Sequence, residues 1–207
     1  MSTEVFLRYK TNLARVDSML VIYEEIRKTA LPEDAKATDI LRSCIVFLHG
    51  AQEDYLRTLL ALWLPRKATR EVLKDIPLMG RDGHSLKYTL QDLLPLRGLD
   101  IDDVINNSVG QALQRQTFNS YSEIVSWLQK IDIDLREFSE QSSIDAMTKR
   151  RHRIVHEVDT VRKDESNAAG RLSMIEAKTV KKWMEASRSL VQTIDLQAEK
   201  WDITNSE

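Results

Sequence analysis

The sequence predicts an all-α protein: a bundle of four long helices, with short helices inserted between the second and third long helices. Its 207 residues include only six glycines, four prolines and 6% aromatic residues, a composition that favours helix over sheet. Apolar residues recur at helical spacing along four long segments. Helix-breaking residues cluster between the second and third of these segments, at Pro65, Pro77, Gly80, Gly83, Pro95 and Gly98.

The length suits a single helical domain spanning residues 1–207, with an irregular insertion at about 65–119. The formal net charge is -2, so any nucleic-acid binding requires a local basic patch rather than an overall positive field. The only cysteine, Cys44, lies in an apolar segment, which excludes an intrachain disulfide framework and fits a reducing compartment. The N-terminal residues MSTEVFLRYK lack a signal-peptide core, and charges interrupt every apolar run. We therefore expect a cytoplasmic protein with no membrane partner.

The first two long helices are predicted from their apolar stripes and from the residues that end them. The first is expected from Thr3 to Lys28. The second is expected to begin at Thr38 or Asp39, which are plausible N-caps, and to end at Leu64. Its apolar residues cover more than one face, which is typical of a central helix that contacts several neighbours.

The inserted region is predicted to contain short helices at Lys67–Lys74, Ser85–Leu93 and Asp102–Leu113. The residues leave open whether this region is a packed elaboration or a mobile flap. After it, Ser120 or Ser122 is expected to cap one more helix.

The third long helix is expected to run from Leu135 or Ser142 to Val161. A polar loop, Asp164–Gly170, should separate it from the last long helix, Ser173–Trp201. The buried side of the third long helix is predicted to comprise Ile144, Met147, Ile154, Val155, Val158 and Val161.

The third long helix carries a stretch rich in cations and histidines, KRRHRIVHEVD at Lys149–Asp159. Arg151 and His156 have the spacing Arg-x-x-x-x-His, which places them about 140° apart around a helix axis and about 7.5 Å apart along it. They do not share a face, but a long arginine side chain can bend towards the histidine. His152 and His156 are one turn apart and do share a face. A cleft beside this helix could therefore present all three side chains together.

These residue types suit RNA cleavage by the ribose 2′-hydroxyl group. That reaction needs a group that removes the hydroxyl proton, a group that protonates the departing 5′-oxygen, and stabilisation of the phosphorane charge. Histidine transfers protons near neutral pH. Arginine stays cationic, and its planar fork matches phosphate oxygens. One helix offers one such set, and a symmetric dimer would bring two sets into one cleft.

The stretch, together with the apolar segment ILRSCIVFLHGAQEDYLRTLL of the second helix, resembles HEPN domains of the RiboL-PSP type. This resemblance implies a metal-independent endoribonuclease that needs no cofactor and acts on an RNA substrate as a homodimer. The implied products carry 2′,3′-cyclic phosphate and 5′-hydroxyl ends. The implied setting is defence or toxin-like growth control, with an antitoxin or regulatory protein as a further partner.

The resemblance also assigns roles to single residues. Arg151 and His156 match the catalytic pair, and His152 fills the polar position after the arginine. Glu53 matches an acidic residue close to the catalytic arginine, and would orient Arg151. A simpler interpretation of Glu53 is an ion pair with Arg57, one turn later on the same helix.

Further cations, Lys149, Arg150 and Arg153, would form a positive patch that binds RNA phosphates. One position departs from some toxin subgroups, which have tyrosine two residues after the histidine. This chain has Val158 there, so regulation by modification of that tyrosine is not supported.

Three alternative interpretations stay open at this point. His152, His156 and Asp159 follow the spacing i, i+4, i+7 and could ligate a metal ion, although Arg151 and Arg153 disfavour a cation there. We therefore expect no metal. The basic cluster could equally be a solvated helix face, with His156 a satisfied histidine. The domain could also be a non-catalytic HEPN module that dimerises or binds RNA or a protein.

One further match exists to a loosened form of the motif. Arg42 and His49, on the second helix, fit the Arg-to-His pattern if a longer gap is allowed. Because short motifs recur by chance, we interpret this match as accidental.

Overall fold

The computed structural model describes residues 2–28, 35–67, 69–78, 90–161 and 171–204. Its α-helices are α1 (Ser2–Arg27), α2 (Ala35–Trp63), α3 (Arg70–Leu73), α4 (Ile101–Arg115), α5 (Tyr121–Gln129), α6 (Gln141–Glu157) and α7 (Ala177–Thr204). A 3₁₀ helix spans Leu90–Leu96, and two short antiparallel strands, β1 (Thr160–Val161) and β2 (Arg171–Leu172), pair with each other. The predicted all-α fold is confirmed, with α1, α2, α6 and α7 as the four long helices.

Helix α2 lies at the centre of the bundle, as its apolar pattern predicts. It packs against α1, α4, α6 and α7. Its fully buried side chains include Leu41, Cys44, Ile45 and Leu60, which point to more than one side of the helix. None of the helices in the described ranges is long and apolar enough to cross a membrane.

The predicted start of α2 is wrong, because neither Thr38 nor Asp39 is its N-cap. The helix already begins at Ala35, so both residues lie inside its first turns. Their side chains instead accept hydrogen bonds from Arg42 Nη1, at 2.8 Å to Thr38 Oγ1 and 3.1 Å to Asp39 Oδ1. Residues three and four positions apart lie side by side on a helix, so the side chains of Thr38 and Asp39 are within reach of Arg42.

The helix predicted after the inserted region begins at one of its two candidate caps. Ser120, rather than Ser122, caps α5, since its hydroxyl accepts a hydrogen bond from the backbone N–H of Glu123 at 3.2 Å. The predicted helix at Ser85–Leu93 lies mostly outside the described residues, and its described end belongs to the 3₁₀ helix that starts at Leu90. The predicted polar loop, Asp164–Gly170, lies outside the described residues altogether.

Helix α6 is shorter than predicted at its C-terminal end. It stops at Glu157 because Val158 and Asp159 adopt left-handed conformations, with φ of 52° and 54°. Both of their backbone N–H groups bond to the carbonyl of Arg153. Positive φ is rare for a β-branched residue such as valine, so this turn stores strain. The expected burial of two valines is also wrong, since Val155 is 47% and Val158 72% exposed.

The lone thiol, Cys44, is completely buried in α2. Burial disfavours the thiolate and raises the pKa of Cys44 to about 11. We expect a thiol-specific reagent at neutral pH to modify the native protein at least about 10²-fold more slowly than the unfolded chain. The check is mass spectrometry after timed exposure, with and without denaturant. Rapid modification of the native protein would contradict this burial.

Candidate functional site

Two histidines on α6 face solvent side by side. His152 and His156 are both exposed, and their ring centroids lie 4.5 Å apart with an interplanar angle of 44°. The predicted shared face is therefore present in the fold. Both imidazoles can be reached by a polymer as large as RNA.

Arg151 lies at the edge of this pair, where the exposed face of α6 meets the seam with α2. Its side chain is half-buried, whereas Met147 and Thr148, one turn earlier, are buried in that seam. On α2, burial lowers the pKa of the His49 imidazole, Glu53 opposes this shift, and the positive charge of Arg151 acts in the same direction as burial. Within the described residues, no hydrogen bond or ion pair engages the Arg151 guanidinium. This cation is thus available to a ligand.

Glu53, predicted to orient Arg151, has other direct partners. It is buried in α2, and its Oε1 accepts a hydrogen bond from the backbone N–H of Phe118 at 3.2 Å. Its Oε2 lies 3.3 Å from Arg57 Nη2, so the simpler ion pair is present. Arg57 also donates to the carbonyl of Gln116, at 2.8 and 3.0 Å. Glu53 and Arg57 therefore hold the connection between α4 and α5 against α2. Within the described residues, no hydrogen bond or ion pair joins Glu53 directly to Arg151.

Arg150 is part of a buried ion-pair cluster and not of an open phosphate-binding patch. Its Nη2 donates to Asp159 Oδ2 at 2.7 Å and to the carbonyls of Ser173 and Met174 at 3.0 and 3.1 Å. Arg42 Nε donates to the same Asp159 oxygen at 2.8 Å, and its Nη2 to the Ser173 carbonyl at 2.8 Å. Asp159 is fully buried between them. Because its Nη2 is engaged within the fold, Arg150 is less accessible to RNA phosphates than Arg153, and its assignment to RNA binding stays a prediction.

The other two predicted phosphate ligands are more accessible. Lys149 is exposed. Arg153 is half-exposed, and its Nη2 donates to the hydroxyl of Ser173 at 2.6 Å. The remaining basic patch beside the histidines thus consists of Lys149, Arg151 and, with part of its guanidinium, Arg153.

The alternative metal site does not assemble. Asp159 is buried and bound by two arginines, whereas His152 and His156 face solvent. Within the described residues, no group of three or more histidine, cysteine, aspartate or glutamate side chains is arranged to hold a metal ion.

Two residues near the site were dismissed or missed from the sequence. Arg42 fixes the turn after α6 through Asp159, and His49 lies buried beside Glu53, with 3.7 Å between Nδ1 and Oε2. The available signal was that Arg42, His49, Gln52 and Glu53 lie among the apolar residues of this helix. Buried polar residues of this kind need partners, which an apolar pattern does not supply.

The fold and the site together define a class: a helical bundle with an accessible Arg-x-x-x-x-His motif on one of its long helices. Comparison with family models identifies a match to the RiboL-PSP-HEPN family over residues 10–200. This match covers most of the chain, which therefore belongs to that family. No curated protein and no solved structure matches the chain.

Proposed function

We propose that this protein is a metal-independent endoribonuclease that cleaves RNA at a site shared by two identical subunits. The observation that carries the proposal is the exposed His152–His156 pair beside the available guanidinium of Arg151. These are the groups that cleavage by the 2′-hydroxyl requires, and family membership supports a role in RNA chemistry.

In the proposed reaction, the ribose 2′-oxygen attacks phosphorus and the bond from phosphorus to the 5′-oxygen breaks. One His156 takes the 2′-hydroxyl proton, and the second subunit's copy of this histidine protonates the departing 5′-oxygen. Arg151 stabilises the negative charge of the phosphorane, because its donors match two phosphate oxygens. The products are a 2′,3′-cyclic phosphate and a 5′-hydroxyl. Lys149 and Arg153 hold neighbouring phosphates, while His152 lies against the ring of His156 and fixes its orientation.

The exposed apolar residues at the end of α6 support the dimer. Val155 and Val158 are 47% and 72% exposed, and Met174, after β2, is 73% exposed. Apolar side chains at this place would be covered if two copies of α6 met across a twofold axis. The same contact would bring the two copies of His156 towards one another.

The test of the function is incubation of the purified protein with total RNA in the presence of EDTA. We expect cleavage, and we expect end-group analysis to find 2′,3′-cyclic phosphates and 5′-hydroxyls. Cleavage that needs an added divalent ion, or that leaves 5′-phosphates, would contradict the mechanism. An absence of cleavage combined with salt-sensitive RNA binding would instead support the non-catalytic binding module.

The Val155→Glu variant tests the shared site. A carboxylate in the middle of an apolar contact lacks a partner, so we expect the dimer to weaken by at least about tenfold and cleavage to fall with it. Light scattering coupled to gel filtration measures the mass, and circular dichroism checks that the helices persist. The matched control is Leu196→Glu, a change at an exposed apolar position on α7. An active monomer, or equal loss in the control, would argue against a shared site.

A further inference from the structure

The turn that follows α6 is bound to two other parts of the bundle through Asp159. The Oδ2 of Asp159 accepts from Arg42 Nε on α2 at 2.8 Å and from Arg150 Nη2 on α6 at 2.7 Å. Both arginines also donate to the carbonyl of Ser173, which follows β2, at 2.8 and 3.0 Å. The backbone N–H of Ser173 donates to the carbonyl of Asp159 at 2.8 Å. The side chain and the backbone of Asp159 are therefore both held.

The backbone of this turn adopts a conformation that is costly by itself. Val158 and Asp159 have φ of 52° and 54°, and a β-branched residue in this region costs about 1–3 kcal/mol. Because Val158 is 72% exposed, packing of its own side chain offsets little of that cost. Such a conformation persists only where the surrounding structure imposes it, and the bonds of Asp159 provide that constraint. Strained backbone of this kind is concentrated at functional sites.

His156 lies within the backbone that this turn closes. The N–H groups of Val158 and Asp159 both bond to the carbonyl of Arg153, so the bonds span the last turn of α6 with His156 inside it. The last turn of a helix frays readily, because its carbonyls lack partners within the helix. The imidazole of His156 is exposed, so its place is set mainly by the backbone beneath it and by the ring of His152 at 4.5 Å.

We infer that Asp159 is a positioning residue for His156: bound by Arg42 and Arg150, it holds the left-handed turn that closes α6 and so fixes where the imidazole meets the reacting oxygens of RNA. This inference rests on the proposed ribonuclease function. A displacement of about 1 Å in a catalytic group can lower a rate by about 10²-fold, so a held helix end matters to the chemistry. Arg42 thereby acts on the site from another helix.

The Asp159→Asn variant tests this role. Asparagine tolerates the left-handed backbone but removes the charge that the two arginines bind. We expect kcat to fall by at least about tenfold with little change in KM, because a displaced imidazole loses its alignment in the transition state. Cleavage is measured at saturating RNA, at a temperature where circular dichroism shows the variant to be folded.

Arg42→Met is a second variant, for the case that Asp159→Asn does not fold. It leaves Asp159 with Arg150 as its counter-ion, while the bonds from α2 to Asp159 and to Ser173 are lost. We expect kcat to fall by at least about threefold, again with little change in KM. A wild-type kcat in either folded variant would overturn the inference.

The matched control is Asp195→Asn, which removes the charge of another buried carboxylate. Asp195 is 5% exposed on α7, and its Oδ1 accepts from the hydroxyl of Tyr55 at 3.2 Å. We expect this variant to be less stable than wild type and to keep the wild-type kcat. An equal loss of kcat in Asp195→Asn would assign the effect to general loosening of the bundle, and the specific role of Asp159 would be rejected.

Hydrogen exchange separates this inference from the proposed function, because it needs no activity. In NMR spectra of the intact protein, we expect the backbone amides of His156, Val158 and Asp159 to exchange at least about tenfold faster in Asp159→Asn than in wild type. In Asp195→Asn they should exchange as in wild type. Equal exchange in Asp159→Asn and wild type would refute the inference even if RNA is cleaved. Faster exchange in a protein that cleaves no RNA would sustain the hold of Asp159 on His156 and reject only the ribonuclease.

Discussion

Replacing Arg151 or His156 with alanine is expected to lower the rate constant for RNA cleavage by about 10²–10⁴-fold. The size of this loss follows from what each side chain supplies. His156 is a positioned acid–base group and Arg151 a positioned donor to the phosphorane, and groups of both kinds contribute in this range. Arg151 is half-buried and His156 exposed, and neither makes a hydrogen bond or ion pair within the described residues, so the folded state should tolerate both changes. Single-turnover cleavage of a defined RNA measures the loss.

The matched control for Arg151→Ala is Arg70→Ala, which removes an exposed arginine from α3. We expect it to cleave as wild type does. If Arg151→Ala and His156→Ala retain the wild-type rate, the catalytic assignment is wrong.

Mixing the two inactive variants tests whether the subunits share one site. A mixed dimer of Arg151→Ala and His156→Ala retains one arginine and one histidine, contributed by different chains. If both chains act on one phosphodiester, the mixture should cleave faster than either variant alone after subunit exchange. It should stay slower than wild type, because the mixed dimer holds one of the two His156 side chains that the proposed acid–base pair uses. If each subunit worked alone, every site in the mixture would lack one group and the mixture would stay inactive.

Replacing Asp159 with alanine is expected to lower the free energy of unfolding by about 3–5 kcal/mol, because it leaves buried cations without their counter-ion. Asp159 is fully buried and accepts from Arg42 and Arg150 at 2.8 and 2.7 Å. Both arginines are mostly buried themselves, so water cannot easily replace the lost carboxylate. Urea or guanidinium denaturation monitored by circular dichroism measures the change.

Two companion variants isolate the cause. Asp159→Asn keeps a side chain that tolerates the left-handed backbone at this position, so any loss it shares with alanine reflects the missing charge. Asp39→Ala removes an exposed partner of the same arginine, Arg42, and should cost less than about 1 kcal/mol. Equal losses in Asp39→Ala and Asp159→Ala would show that burial of the carboxylate is not what matters.

The sequence was sufficient to predict the four long helices, because each carries an apolar stripe with the period of an α-helix. It did not predict where α6 ends. The residues Glu157, Val158 and Asp159 include no glycine, asparagine or proline, which are the usual signals for a helix end. The helix ends where Val158 and Asp159 turn to positive φ, and Arg42, 117 positions earlier in the chain, bonds to the side chain of Asp159 at this turn. A local pattern cannot contain that contact.

The same limit applies to the candidate site. The face shared by His152 and His156 follows from their spacing within one helix and was predictable. Arg150 has a similar local sequence context to Arg151, and only the tertiary fold directs one guanidinium to Asp159 and leaves the other available. His49 was set aside because its spacing from Arg42 along α2 suggested chance. Its burial follows from the packing of α2 within the bundle, which spacing along a single helix cannot reveal.

The short ladder between β1 and β2 also has a consequence for engineering. Thr160 pairs with Leu172 and Val161 with Arg171, so the backbone at Val161 and at Arg171 is held at adjacent points. The entropic cost of closing a loop grows only slowly with its length. A peptide inserted between these paired ends should therefore lower the free energy of unfolding only slightly. A short affinity tag inserted at that junction would leave α1 and α7 unaltered. A fluorescent label inserted there would lie within a few residues of α6. Its signal could detect molecules that bind beside His152 and His156.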